Sequence, residues 1–357
     1  MTARPIPMNE MRGAAEPDRA PRGAPVPRLG FLGVGWIGRQ RMATLAASGA
    51  GRVSAIVDPS PDHLAAALRE APGARALDSL DALLSTDLDG IVIATPSALH
   101  AGQAEMALAR GKAVFCQKPL ARTAAETRRV IDAARAADRL LAVDLSYRHT
   151  AAMRHVSAGV RAGEIGRVFA AELVFHNAYG PDQTWCHDPA LAGGGCLMDL
   201  GVHLVDMLFS TLEGARVAHV AARLIAGGEP LTDRDRQVED YAEAQLTLEG
   251  GAVARLACSW RLPLGRGAEI GATFYGTRGA LAFRNVGGSF YDFAAERYDT
   301  AARRLLVEPP DEWGGRALVE WSRRLAAGER FDPAVDELVD VAAALDAVYS
   351  AGIRPCR

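Results

Sequence analysis

The sequence predicts an α/β amino-terminal domain over residues 28–148, followed by an α+β domain over residues 149–357 with a largely antiparallel sheet. Three observations lead there. Short apolar runs alternate with helical stretches as far as residue 148. A glycine-rich turn joins the first run to the first helix. Beyond residue 150 the segments lengthen, alternate in polarity and are separated by glycine turns. The first pattern implies a parallel sheet with right-handed crossovers, and the last implies hairpins. A chain of 357 residues also exceeds what one hydrophobic core usually organises, so two domains are the natural division.

"RLGFLGV" (28–34) reads as a buried strand, and "WIGRQRMATLAAS" (36–48) as a helix with Ile37, Met42 and Leu45 facing inward. "RVSAIVD" (52–58) is a second strand. "SPDHLAAALREAPG" (60–73) is a helix opened by Ser60 or Pro61 and closed before Gly73. "LDGIVIAT" (88–95), "ALHAGQAEMALARG" (98–111) and "KAVFCQKPL" (112–120) continue the rhythm as strand, helix and strand. A helix over 123–139, capped by Thr123 and Glu126, leads to the strand "LLAVDLSY" (140–147). After a helix at about 150–162 come alternating segments at 167–176, 216–226, 238–261 and 268–285, with turns at Glu249–Gly251 and Gly276–Gly279. A closing helix over 333–352 carries Val335, Leu338, Val339, Ala342 and Leu345 along one face.

Hydrophobic residues make up 49% of the chain and charged residues 23%, with a net charge of −3, as in soluble globular proteins. Nucleic-acid binding normally leaves a basic footprint that is missing here. No apolar run is expected to reach the ~20 residues of a membrane helix. The five cysteines are odd in number and form no C-x-x-C pair. That argues against a disulfide framework or a metal site and for a reducing, cytoplasmic setting. Residues 1–27, rich in Pro, Arg and Ala, read as a disordered tail without a signal peptide's apolar core, and Met8 or Met11 is an alternative start.

"GVGWIG" (33–38) fits G-x-G-x-x-G. Alone it is equally a tight strand–helix turn, but here it follows a strand and opens a helix. In that setting Gly33 permits the turn, Gly35 lets the backbone approach a pyrophosphate, and Gly38 lets helix and strand pack closely. Asp58 ends the second strand, where an acid accepts from a ribose 2′-hydroxyl. The reading is a Rossmann domain binding NAD. NADP is less favoured, since "DPSPDH" offers no Arg or Lys to a 2′-phosphate.

Lys118 stands before Pro119 at the carboxyl end of a parallel strand, the edge where such sheets bind ligands. In "AGGGCLMDLGVHLVD" (192–206), Asp199 and His203 are four residues apart, hence on one helix face. Gly193–Gly195 are expected to allow close backbone approach to whatever fills the cleft. The alternative is an acid favouring the helix dipole beside a satisfied core histidine.

Together, "GVGWIG", "ATPSALHAGQAEMALARGKAVFCQKPLARTAAE" and "AGGGCLMDLGVHLVD" resemble the Gfo/Idh/MocA (glucose–fructose oxidoreductase / inositol dehydrogenase) family. The resemblance runs from about residue 28 to the end. It implies catalytic roles for Lys118, Asp199 and His203, and a carboxyl-terminal domain built on an open sheet whose exposed face commonly mediates oligomerisation. A homodimer or homotetramer is therefore expected. Within the same motifs Trp36, Ile37, Thr95, Pro96, His100, Gln117 and Lys118 are expected to surround the cofactor. Gln117 departs from the family's usual Glu, and its lack of charge is expected to leave Lys118 without an anion to hold it protonated, favouring a base role.

These assignments point to an NAD-dependent oxidoreductase moving hydride between nicotinamide and a secondary alcohol of a sugar or cyclic polyol. Lys118 and His203 share the proton transfer, and Asp199 orients the base and binds substrate. Tyr147, Arg148, Trp185 and His187 are substrate candidates, while Asp206 reads as structural. Two alternatives stay open: an enzyme that retains NAD and oxidises transiently to cleave or epimerise a sugar, and a non-catalytic dinucleotide-binding regulator.

Overall fold

A computed structural model describes residues 26–353. The tail expected over 1–27 falls almost wholly outside the described residues, as does Cys356.

Six strands form the first sheet: β1 (Arg28–Leu32), β2 (Arg52–Val57), β3 (Arg75–Ala76), β4 (Gly90–Ile93), β5 (Ala113–Cys116) and β6 (Leu141–Val143). They are parallel, in the order β3-β2-β1-β4-β5-β6. Strand order reverses between β1 and β4, and the crevice at the carboxyl ends there is where such sheets hold a dinucleotide. The crossovers are α1 (Trp36–Ser48), α2 (Pro61–Glu70), α3 (Leu80–Leu84), α4 (Ser97–Ala109) and α5 (Ala124–Ala137). Ser60 caps α2 by accepting from the His63 N–H, and Thr123 caps α5 by accepting from that of Glu126. The short β3 and α3 were not foreseen. In α1 the inward face holds Gly38, Arg41, Met42 and Leu45, so Arg41 is buried while Ile37 is only half-buried.

After α6 (Ala151–Arg161), the second sheet is built from β7 (Val168–Asn177) and, beyond α7 (Pro189–Ala192) and α8 (Val202–Thr211), eight more strands. These are β8 (Val217–Ala226), β9 (Glu229–Pro230), β10 (Tyr241–Leu248), β11 (Val253–Ser259), β12 (Ala268–Gly276), β13 (Gly279–Asn285), β14 (Phe293–Asp299) and β15 (Ala302–Val307). Their order is β15-β14-β13-β12-β7-β11-β10-β8-β9, antiparallel except for β7 beside β11. Alternation along β7 turns Ala171, Leu173 and Phe175 to the core and leaves Glu172 outside, while Phe169, on the same face as the core residues, is exposed near the start of the strand.

Two helices close the chain, α9 (Arg316–Ala326) and α10 (Glu337–Gly352). The second matches the expected closing helix, although a 3₁₀ turn occupies Pro333–Asp336. The first was not foreseen. It covers the first sheet, burying Ala317, Leu318 and Trp321 with Phe31, Val92 and Phe115 in one core. The first core is thus completed from the far end of the sequence.

One composition-based expectation needs correction. Pro189–Thr211 is a helical stretch of 23 residues, long and apolar enough to cross a membrane. Most of it is buried inside the protein, where it serves as the core helix beneath the second sheet.

Candidate active site

The glycine turn has the shape its motif requires. Gly33 has φ +87, and a Cβ there would meet the Ala94 carbonyl oxygen at 2.5 Å; one on Gly38 would meet the Gly33 oxygen at 2.3 Å. Gly35 is different, with nothing nearer to an added Cβ than the His63 ring at 3.8 Å. The two outer glycines serve the turn and the packing, while the middle one leaves its backbone open to a ligand. Asp58 accepts from the Val34 N–H (2.7 Å) and the Ser60 N–H (2.8 Å), tying the turn to the end of β2. These residues fit a dinucleotide. Trp36 is exposed at the start of α1, and Ile37, Thr95 and Pro96 are half-exposed nearby.

Lys118 lies two residues beyond β5, and its amine donates to the Asp199 backbone oxygen (2.7 Å) and carboxylate Oδ1. The other carboxylate oxygen, Oδ2, accepts from the Trp260 indole at 3.0 Å. Asp199 sits in a π-helical turn, Leu197–Gly201, which runs into α8 carrying His203. Such wide turns recur at functional sites. The imidazole of His203 is buried, edge-on to the Tyr147 ring at 4.9 Å, and its Nδ1 has no protein partner. Lys118, Asp199, His203 and Tyr147 therefore share one site, although no hydrogen bond joins Asp199 to His203. The Asp199 carboxylate holds the Lys118 amine and the Trp260 indole rather than the imidazole.

Several other expectations change. Gly194 and Gly195 approach protein rather than ligand: a Cβ on Gly194 would lie 2.0 Å from the Tyr349 hydroxyl, and one on Gly195 1.9 Å from the Glu239 carbonyl oxygen. Arg148 is held by Asp206 and Glu337 (2.9 Å), so its guanidinium belongs to the scaffold and not to the substrate. His100 is buried with Nδ1 at 2.7 Å from the Pro119 oxygen and Nε2 at 2.8 Å from the Thr95 oxygen, linking the two loops instead of meeting cofactor through its ring nitrogens. The Gln117 amide turns inward and donates to Asp144 Oδ2 at 2.5 Å. The anion missing at position 117 is supplied to Lys118 by Asp199. Trp185 is half-buried against the core, and exposed His187 lies edge-on to Trp260 at 5.6 Å.

A model for an oxidoreductase family with an NAD-binding Rossmann fold matches residues 28–145, and one for the GFO/IDH/MocA carboxyl-terminal domain matches 153–282. The 1,5-anhydro-D-fructose reductase of Ensifer adhaerens is 31% identical over 262 residues, covering 72% of this chain and 76% of that protein. The chain belongs to the GFO/IDH/MocA family. Its fold also resembles solved structures at lower identity. Levoglucosan dehydrogenase in complex with NADH and levoglucosan has a TM-score of 0.79 at 22% identity, covering 92% of this chain and 97% of that one. KijD10, a 3-ketoreductase from Actinomadura kijaniata with NADP and TDP-benzene, has a TM-score of 0.79 at 22% identity, covering 93% and 99%. This GFO/IDH/MocA chain is thus an NAD-binding oxidoreductase with the expected two-sheet architecture.

The sequence reading missed Trp260, Arg41 and Glu239. Trp260 sits at the carboxyl end of β11, a position that draws attention once the sheet order is known. Arg41 shares a helical face with Gly38 and Leu45, a charge on an otherwise inward stripe. Glu239 carries no local signal.

In this family member the His203 imidazole is held neutral. Burial first, then the Lys118 ammonium and the Arg41 guanidinium, push its pKa well below the usual value. A base with a depressed folded pKa contributes stability that is complete above its unfolded pKa, near 6.5, and lost as pH falls. His203→Asn should therefore flatten the stability profile below about pH 6.5 by about 1.4 kcal/mol per pH unit, one proton's worth. Urea unfolding of both proteins from pH 8 to 5 reads this, and parallel curves would refute it.

Proposed function

We propose that the protein oxidises or reforms a secondary alcohol on a sugar or cyclic polyol with NAD, in the cytoplasm, as a homodimer or homotetramer. The observation that carries this reading is the Lys118 amine, clamped by Asp199 beside a neutral His203 at the carboxyl edge of the first sheet. The named activities of the relatives support the substrate class, since they include a 1,5-anhydro-D-fructose reductase and a levoglucosan dehydrogenase.

Bound NAD supplies a hydride acceptor. Lys118 handles the proton of the reacting oxygen, donating it as an ammonium when a carbonyl is reduced and accepting it as an amine when an alcohol is oxidised. Asp199 steadies the charged form and is itself fixed by Trp260. A buried N–H without a partner is rarer than a buried acceptor without one, so we assign the His203 proton to Nε2 and leave Nδ1 as the unpaired acceptor. His203 then donates to the substrate oxygen, and Lys118 carries the proton transfer. Half-buried Trp185 and exposed His187 offer aromatic surface to a sugar ring, with buried Trp260 behind His187 and Tyr147 behind His203.

The outer face of the second sheet supports self-association. It forms a concavity of about 860 Å³ in which Glu172, Glu243 and Glu269 alternate with Arg223, Arg255 and Arg266. A net charge of −3 supports neither a nucleic-acid nor an anionic-membrane partner.

The test is NADH formation across inositols, aldoses, uronates and nucleotide-sugars. Stoichiometric NADH with one of them supports a dehydrogenase, whereas product without net NADH supports transient oxidation by retained cofactor. Asp58 should make kcat/KM with NAD exceed that with NADP by about 10²-fold, since apposed like charges cost several kcal/mol. An equal or better value with NADP would mean that Asp58 does not read the ribose.

A further inference from the structure

The turn that carries Asp199 and leads to His203 starts without a side-chain cap of its own. The first N–H groups of a helix have no partners within it and must find them elsewhere. Here three consecutive N–H groups at its start go to a single residue more than 40 positions away. Gly195 N–H and Leu197 N–H both donate to Glu239 Oε1 at 2.9 Å, and Cys196 N–H donates to the Glu239 backbone oxygen at 2.9 Å. Oε1 also accepts from the Tyr349 hydroxyl of α10 at 2.9 Å. Glu239 is fully buried, and its other oxygen has no protein partner. The absence of side chains at 194 and 195 lets Tyr349 and Glu239 approach this closely.

One helical turn further on, Asp199 holds the Lys118 amine through its backbone oxygen and carboxylate. Hydrogen bonds and one turn of helix thus run from Glu239 to the amine. We propose that Glu239, steadied by Tyr349, is a positioning residue for the Lys118–Asp199 pair, setting the rotation and depth of the turn that presents Asp199. None of the hydrogen-bond partners named for Glu239 belongs to the glycine turn, so its influence falls on proton transfer and not on cofactor binding. The inference rests on Lys118 as the proton-transfer group.

Lysine occurs only twice in the chain, at 112 and 118, and Lys112 is tied to the Thr86 and Leu88 carbonyls well away from this network. Protein labelled with ¹³C-lysine therefore reports on Lys118 with an internal control. In E239Q the Lys118 side-chain resonance should shift at fixed pH while that of Lys112 stays in place. Turnover of the best sugar from the panel should fall about tenfold or more, as misplacing a catalytic group costs, with the NADH dissociation constant unchanged. Y349F, which removes one donor, should produce a smaller change in the same direction, and it decides the matter should E239Q fail to fold. Folded variants with an unmoved Lys118 resonance and unchanged turnover would overturn the proposal. A moved resonance with turnover unchanged in both E239Q and K118A would uphold the contact and instead overturn Lys118 as the proton-transfer group.

Discussion

Lys118→Ala should lower kcat by about 10²- to 10⁴-fold, the range a positioned acid or base supplies, while NADH binding changes little. The amine is committed to Asp199 rather than to the glycine turn, so its removal takes away the proton carrier and spares the cofactor cradle. Lys118→Arg should not restore turnover, because a guanidinium stays protonated throughout the working pH range and its planar fork does not fit the seat of an ammonium. Asp199→Asn should fall between wild type and Lys118→Ala, since the backbone oxygen of residue 199 still accepts from the amine. Steady-state kinetics with fluorescence titration of NADH reads all three. Retained kcat in Lys118→Ala would leave the site without a proton carrier and the mechanism without support.

The second large effect is expected at Gln117, where the family usually carries a carboxylate. Its amide donates to Asp144, whose side chain is fully buried and also accepts from the Arg41 guanidinium at 2.5 Å and from the Ser146 hydroxyl at 2.8 Å. Arg41 in turn lies under the Trp313 ring. A carboxylate at position 117 would face a second carboxylate at hydrogen-bond distance with only one guanidinium to share. Gln117→Glu should therefore destabilise the protein by about 3 kcal/mol at neutral pH, the lower end of what an uncompensated buried charge costs. The pair would retain a proton, so the defect is smallest in acid and grows as pH rises through the raised folded pKa. Asp144→Asn in the Gln117→Glu background should recover most of the loss, restoring one charged and one neutral partner. Thermal unfolding of the four proteins of this cycle at two pH values is the measurement. Additive effects would show that 117 and 144 do not sense each other.

That network also marks the boundary of what the sequence discloses. The glycine turn and the first sheet were legible because local period and motif spacing determine them, whereas the meeting of Lys118 with Asp199, 81 positions apart, was expected only from the family resemblance. Gln117 was visible as a departure, but its reason lay in Asp144 and Arg41, which meet it only in the folded chain. Glycines 193–195 were read as facing a ligand, yet two of them face Glu239 and Tyr349, residues 44 or more positions away. The π-helical turn under Asp199 has no signature in spacing, since an interval of four suits an ordinary helix equally well. Strands β14 and β15 were missed because they carry charge on both faces near the sheet edge, as in "AERYDT" and "ARRLLV". Helix α9 was missed despite a readable stripe of Ala317, Leu318 and Trp321.

That helix has a consequence for synthesis. Trp321 is buried beside Phe115, Gly90 leaves room for its ring, and the Ser322 hydroxyl donates to the Ala50 oxygen. The nucleotide-binding half leaves the ribosome about 180 residues ahead of the helix that covers it. At ~5–20 residues per second, a nascent chain spends roughly ten seconds or more with an apolar groove uncovered, and a messenger truncated after that half would yield a protein that never closes it.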